Sequence, residues 1–240
     1  MRASMDMAFP ESHSYVQAVR KLPAYTLTEA AYYLRIPRST LSYWALGGKY
    51  HQRKYKPLIE LVDKKHPLLS FVNLVEAHVL CGLRRKHQVP LYVVRRGLDY
   101  LQKEFNSRHP LADHLIFVSG VDLFVKEYGR VVNITEEGQL AMKEVLERFL
   151  HRVEHSPDGV PIKLYPFLSR QQEEDESRPV EIDPAVAFGH PVIPGTACRS
   201  DILAERFQAG DSIEMLVEEY GLEKEQIEKA IQWEEAGKAA

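Results

Sequence analysis

A short stretch near the N-terminus carries side chains that can hydrogen-bond to phosphates and to base edges. Polar donors alternate there with Leu41, Trp44 and Ala45, which suit a buried face. The donors are Arg38, Ser39, Thr40, Ser42 and Tyr43. Side chains of these types contact DNA when a helix enters the major groove. The stretch therefore predicts a recognition helix.

A second group of candidate contacts follows Gly47 and Gly48, where basic and aromatic residues alternate. Paired glycines permit a sharp chain reversal, and lysine and arginine neutralise phosphates. The candidates are Lys49, Tyr50, Arg53, Lys54 and Lys56. We interpret this run as a wing or loop beside DNA, with an ordinary solvated basic loop as the alternative.

Two local signals predict the elements that position these side chains. Thr26 and Glu29 have capping-box spacing, so a helix should begin at this point. Pro37 disfavours helical geometry at Ile36 and suits the first turn of a second helix. The result is a helix-turn-helix; a buried helical hairpin with solvated polar residues is the competing interpretation.

The charge distribution is uneven along the chain. Residues 1–110 contain 18 Lys and Arg against 8 Asp and Glu, whereas residues 111–240 contain 13 against 26. The basic part suits a polyanion, and the acidic part repels one. The length of 240 residues allows one or two domains.

The rest of the N-terminal region is predicted to be mainly helical. Helices are expected over residues 70–86 and 90–105, with Arg95, Arg96 and Lys103 outside the apolar stripe, facing either DNA or water. Short β-rich runs between residues 115 and 134 predict a small sheet. A long helix over residues 137–153 is expected either to close the core or to dimerise through Leu146 and Phe149 or Leu150.

An acidic linker is predicted over residues 169–180, between a domain at 1–168 and a domain at 181–240. The second domain is expected to contain three helices and to bind protein, because its acidic residues would repel phosphates. The candidate contacts are Phe188, Ile193, Phe207, Glu214, Glu218, Glu219 and Trp233. For each aromatic or aliphatic candidate the competing placement is the core, which a domain of this size favours because it needs most of its large side chains inside.

Several other classes of function lack support in the sequence. No P-loop, dinucleotide fingerprint, His-Glu-x-x-His or Gly-x-Ser-x-Gly motif is present, so we expect neither an enzyme nor a cofactor. His151 and His155 have a spacing that could serve a metal-sensing regulator, but no third ligand lies nearby in the sequence. Two isolated cysteines, the lack of an apolar stretch of membrane-spanning length and the lack of a signal pattern predict a cytoplasmic protein.

The chain resembles a bacterial family of VapB-type antitoxins, which join a MerR-like helix-turn-helix domain to a short C-terminal domain of unknown function. Both ends of the chain carry the resemblance, and the C-terminal set is the more specific. The matching segments are residues 25–44, 70–80, 109–112, 132–134, 182–196, 209–213 and 219–222.

The resemblance implies an antitoxin that silences a PIN-like ribonuclease toxin and represses the promoter of its own operon. The expected fold is mainly α with a small β-sheet (α+β): a MerR-like winged helix-turn-helix domain followed by a three-helix, helix-turn-helix-like domain. The expected partners are double-stranded DNA, the toxin and a second copy of the chain. A MerR-like regulator that senses a small molecule or a metal is the alternative.

Overall fold

The computed structural model of the chain describes residues 18–50, 53–85, 90–113, 116, 119, 121–132, 136–168 and 176–238. Most of these residues are helical, and their strands form three two-stranded antiparallel sheets. This is the mainly α, α+β fold that the sequence predicts. None of the described helices is both long and apolar enough to cross a bilayer.

The helix-turn-helix predicted from the capping box is present. Thr26 Oγ1 accepts a hydrogen bond from the Glu29 N–H at 3.1 Å, and the Glu29 carboxylate accepts from the Thr26 N–H at 2.8 Å. Pro37 is the N-cap of the second helix, so the chain breaks where expected. The elements are β1 (Tyr25–Thr26), α1 (Leu27–Tyr33) and α2 (Arg38–Leu46).

A β-hairpin follows α2 at the position predicted for a wing. Its strands are β2 (Gly48–Tyr50) and β3 (Arg53–Tyr55), with Lys49 opposite Lys54. Gly47 adopts a φ of 72°, and a Cβ atom there would lie 2.3 Å from the Tyr55 carbonyl oxygen. Only glycine fits this turn without strain. The glycine therefore fixes how the hairpin leaves α2.

Four helices support this unit. α3 begins at a reciprocal cap, in which the Asn73 N–H donates to Ser70 Oγ and the Ser70 N–H donates to Asn73 Oδ1. Glycine at position 97 lets α4 approach α5, since a Cβ there would lie 2.4 Å from the Phe124 ring. The elements are β4 (Leu68–Leu69), which pairs with β1, and α3 (Phe71–Arg85), α4 (Leu91–Phe105), α5 (Val121–Val132) and α6 (Glu136–Leu150).

The small sheet predicted between residues 115 and 134 is wrong over the part that the structure describes. Residues 121–132 form the helix α5 instead of two strands. Val121, Phe124 and Val125 are three and four positions apart and are all buried, so they form one helical face. Packing against α4 and α6 overrides the β propensity of these residues. Residues 115, 117–118, 120 and 133–134 lie outside the described residues.

The predicted helix over residues 137–153 is present as α6, but its proposed dimer contacts are not exposed. Leu146, Phe149 and Leu150 are buried within the same chain. Phe149 fits against α3 at Gly82, where a Cβ atom would lie 2.9 Å from its ring. These side chains close the core and are not available to a second copy.

The C-terminal segment contains the three predicted helices. A hairpin precedes them and continues into a backbone pairing, in which Leu164 and Ile182 exchange hydrogen bonds at 3.0 and 2.8 Å. The elements are β5 (Val153–His155), β6 (Pro161–Leu164), α7 (Ser200–Gln208), α8 (Ile213–Tyr220) and α9 (Lys224–Lys238).

The C-terminal segment, residues 153–238, shares a core with the elements that precede it. Trp233 of α9 is fully buried and donates through its indole N–H to the Phe167 carbonyl at 3.1 Å. Buried side chains form one continuous cluster from Tyr25 to Trp233. The division at an acidic linker remains a prediction, because residues 169–175 lie outside the described part of the chain.

Candidate nucleic-acid interface

The exposed face of α2 carries the predicted polar side chains. Arg38 and Ser39 are exposed, while Thr40, Ser42 and Tyr43 are half-buried. The opposite face is buried through Leu41, Trp44 and Ala45, as their spacing predicts. Burial of that face anchors α2 in the core and turns its donors outward. The structure thus groups all five predicted contacts of this helix on one element.

The hairpin lies beside α2 and is held to it by aromatic and backbone contacts. The rings of Tyr43 and Tyr55 are 6.4 Å apart, and the Trp44 carbonyl accepts hydrogen bonds from the Leu58 and Ile59 N–H groups at 2.7 and 3.1 Å. Lys56 is exposed just after the hairpin. The predicted side chains of Lys49, Tyr50, Arg53 and Lys54 lie outside what the structure describes.

The turn between α1 and α2 contains a buried arginine that the sequence analysis did not single out. Arg35 has a φ of 54° and is only 2% exposed. Its guanidinium donates to the carbonyl oxygens of Tyr32 and Trp233, and lies 4.0 Å from the centre of the Trp233 ring. Burial lowers the pKa of Arg35, while the neighbouring Tyr32 and Glu234 act in the opposite direction.

Glu234 completes the contact between α9 and the helix-turn-helix. Its carboxylate accepts hydrogen bonds from the Tyr32 hydroxyl and from Ser200 Oγ, both at 2.5 Å. Burial raises the pKa of Tyr32, and the hydrogen bond to Glu234 raises it further. Close approach is possible because α9 has Gly237 here; a Cβ atom would lie 2.6 Å from the Tyr32 ring. We call Tyr32, Arg35, Trp233 and Glu234 the turn clamp.

No local pattern could have revealed the turn clamp. Tyr32 and Arg35 are separated by about two hundred positions from Trp233 and Glu234, and the partner of Arg35 is a backbone carbonyl, which any residue type supplies. One weak signal is the Tyr32 side chain, which lies off the apolar stripe of α1 and yet is aromatic. Tertiary contact alone decides that Arg35 is structural while Arg38 faces outward.

The predicted protein contacts of the C-terminal segment divide into two groups. Ile193 and Trp233 are fully buried, so neither can contact a partner in this conformation. Phe188 is 94% exposed and Phe207 is 39% exposed. Ile193 and Trp233 are core residues because a unit of this size needs its largest side chains inside.

The three acidic candidates of α8 are exposed, but two of them are already paired. Glu214 lies 3.0 Å from Lys224 Nζ, and Glu219 lies 2.5 Å from Arg206 Nη1. The hydrogen bond from Arg206 lowers the pKa of Glu219. No ion pair joins Glu218 to another described residue. Glu218 is therefore the candidate whose charge is least neutralised.

The two histidines of the metal-sensing alternative do not share a helix face. His151 lies in the turn after α6, whereas His155 belongs to β5 and its Nε2 lies 3.2 Å from the Ala112 carbonyl oxygen. The helix α6 ends at Leu150, before either histidine, so their spacing of four does not place them on one helical face. Across the described ranges, no group of three or more His, Cys, Asp or Glu side chains is arranged to hold a metal.

Two family models match separate parts of the chain. A putative DNA-binding helix-turn-helix domain matches residues 23–98, which include α1, α2, the hairpin, α3 and the start of α4. A protein family of unknown function, DUF433, matches residues 180–233, which include α7, α8 and most of α9.

Relatives and a solved structure cover most of the chain. It is 30% identical over 233 residues to the putative antitoxin VapB45 of Mycobacterium tuberculosis, covering 88% of this chain and 93% of that protein. It is 22% identical over 221 residues to the uncharacterized protein Rv2308 of the same organism, covering 87% and 89%. The crystal structure of Rv2018 from M. tuberculosis superposes with a TM-score of 0.69 at 26% identity, covering 88% and 98%.

Proposed function

Since the chain belongs to the family of the putative antitoxin VapB45, we propose that it neutralises a PIN-like ribonuclease toxin and represses the promoter of its own operon. The observation that carries the proposal is the exposed polar face of α2 beside a hairpin with a basic sequence, in a chain that is similar to an antitoxin. Such a pair of elements suits the major groove and the adjoining phosphates.

The DNA-binding half of the proposal rests on Arg38, Ser39, Thr40, Ser42 and Tyr43 for the groove and on Lys49, Tyr50, Arg53, Lys54 and Lys56 for the backbone. Binding of the full chain to a duplex of its own promoter should weaken steeply with salt, because phosphate contacts release counterions. A scrambled duplex of equal length is the control. Equal affinity for both duplexes at every salt concentration would contradict promoter recognition.

The toxin-binding half rests on the exposed candidates of the C-terminal segment. Phe188 and Phe207 supply aromatic surface, and Glu214, Glu218 and Glu219 lie on the neighbouring helix α8. A ribonuclease cleft must attract RNA and is therefore basic, so an acidic inhibitor gains association rate there. Buried Ile193 and Trp233 are not part of this surface.

Charge reversal at Glu218 tests the toxin-binding half. The Glu218→Lys variant should associate with the toxin several-fold more slowly at low salt, and its association rate should approach that of the wild-type chain at high salt. Glu144→Lys, on the exposed face of α6, makes the same change in net charge elsewhere. Equal slowing by both variants, or by neither, would remove this surface from the proposal. Full chains are used because the two segments share a core.

A homodimer is the third part of the proposal, because recognition helices of this kind bind half-sites about one helical turn apart. The contact must lie outside the buried face of α6, which leaves exposed residues such as Leu140 on that helix. Light scattering with and without promoter DNA tests this part. A monomeric mass in both conditions would exclude it.

A further inference from the structure

A cavity of about 680 Å³ lies behind the hairpin, between the segment that follows β3 and the helix α4. The volume is within the range of small-molecule sites, roughly 300–1,000 Å³. Its lining includes Tyr55, Lys56, Lys64 and Arg95. The proposed groove contacts on α2 do not line it, and Lys56 is the one proposed backbone contact that does.

Arg95 is the unusual member of this lining. Its Nη1 donates to the Pro57 carbonyl oxygen at 3.4 Å, and its guanidinium lies 5.9 Å from the centre of the Tyr55 ring. Its Nε and Nη2 atoms are buried, and no described residue accepts a hydrogen bond from them. A buried donor without a partner is costly, roughly 1–3 kcal/mol and more for a charged group, and a bound water or ion is one way in which a protein satisfies such a donor.

The acidic side chains nearby do not accept hydrogen bonds from Nε or Nη2 of this guanidinium. Glu60 and Asp99 line the same cavity, and Asp99 is four residues after Arg95 on α4, a spacing that suits an ion pair. Neither carboxylate is bonded to Nε or Nη2. The guanidinium is therefore oriented by the Pro57 carbonyl and the Tyr55 ring, with two donors left without an acceptor among the described residues.

We propose that this cavity binds a small organic anion, whose phosphate or carboxylate group accepts hydrogen bonds from Arg95. The Nε and Nη2 donors of one guanidinium are coplanar and match two oxygens of either group. Lys56 and Lys64 add positive charge to the lining. The site goes beyond antitoxin activity, because it assigns the chain a ligand that is neither DNA nor toxin.

A small anion fits the lining better than a DNA phosphate. Glu60 and Asp99 would repel the closely spaced charges of a duplex, whereas a small ligand can present a hydroxyl or amine donor to them. Gln102 supplies a further amide to such a ligand. The ring of Tyr55 connects the site to Tyr43 of α2, so a bound anion would contact the residue that holds the hairpin to that helix.

The test follows the side-chain Nε–H signals of arginine by NMR in the full chain, selectively labelled with ¹⁵N-arginine. Inorganic phosphate and acetate are titrated separately at ionic strength held constant with chloride. One signal, absent from the Arg95→Lys variant, should shift and saturate. Calorimetric titration of phosphate into both chains should show about tenfold weaker binding to Arg95→Lys, which keeps the charge but loses the paired donors. Lys103→Ala, an exposed substitution on α4, should leave the titration unchanged.

Two outcomes would overturn the proposal. The first is the lack of any saturable shift of the Arg95 signal with either anion, which would leave the cavity without an anion site. The second is a shift of that signal with promoter duplex but with neither free anion, which would assign Arg95 to the DNA backbone. Failure of promoter binding leaves this test unaffected, since the two small anions are titrated without DNA.

Discussion

Arg35 and Arg38 lie three residues apart in the helix-turn-helix, yet their environments are opposite. Arg35 is buried against Trp233 and donates to main-chain carbonyls, whereas Arg38 is exposed at the start of α2. The first joins the turn to the C-terminal helix, and the second is free to reach a ligand. The difference shows that positive charge near α2 does not by itself indicate a DNA contact, because burial decides the role.

The largest expected effect is on the turn clamp. Trp233→Ala should lower the free energy of unfolding by about 3–5 kcal/mol, the usual loss when a fully buried aromatic side chain is removed. Urea denaturation of the full chain measures it. Phe188→Ala is the matched control, since Phe188 is 94% exposed and should change stability by less than about 0.5 kcal/mol. Similar losses for the two variants would mean that Trp233 is not a core residue.

The next effect separates the two arginines by stability. Arg35→Met should lower the free energy of unfolding by about 2–3 kcal/mol, because it leaves the buried Trp233 carbonyl without its donor. Arg38→Met, the same change on an exposed position, should leave stability within about 0.5 kcal/mol of the wild-type chain. Parallel denaturation curves for both variants provide the measurement. If Arg35→Met left the free energy of unfolding unchanged, the turn clamp would have no energetic role.

DNA affinity, unlike stability, should depend on Arg38. Arg38→Ala should weaken binding to the promoter duplex by about 1–3 kcal/mol if its guanidinium contacts a base edge. Fluorescence anisotropy at one fixed salt concentration measures the loss, and Lys229→Ala on α9 is the control for removal of a positive charge. Unchanged affinity of Arg38→Ala would exclude a base contact by this side chain.

The smallest effect is expected after the hairpin. Lys56→Ala should reduce the slope of log affinity against log salt by about one unit and weaken promoter and scrambled duplexes alike, because a phosphate contact carries no sequence information. Binding curves at several salt concentrations test this. A loss confined to the promoter duplex would instead indicate that Lys56 contributes to sequence recognition.

The C-terminal segment offers the same contrast between burial and exposure. Phe188 and Trp233 were predicted from the sequence as equivalent apolar contacts, but one is almost entirely exposed and the other is at the centre of the core. Spacing within α9 places Trp233 on a helical face, but it cannot say whether that face meets the same chain or a partner. Only the neighbouring elements answer that question.

The sequence by itself determined the features that depend on a few adjacent residues. The capping box of Thr26 and Glu29, the break at Pro37 and the glycine turn at Gly47 were predictable because each involves a local hydrogen bond or a local steric limit. The basic charge of residues 1–110 and the acidic charge of residues 111–240 also follow directly from the sequence. The start and end of α2, and therefore which of its residues face outward, are predictable from the break at Pro37, the turn at Gly47 and the apolar spacing between them.

Tertiary structure alone decided the rest. Residues 121–132 form the helix α5 although many of them favour strands. The helix places the Phe124 ring against Gly97 of α4, and no local preference predicts that contact. The turn clamp joins Arg35 to a carbonyl 198 positions away, and the unpartnered donors of Arg95 depend on where Pro57 and Tyr55 lie. Contacts between distant segments determine burial, and burial determines whether a charged side chain stabilises the fold or is available to a ligand.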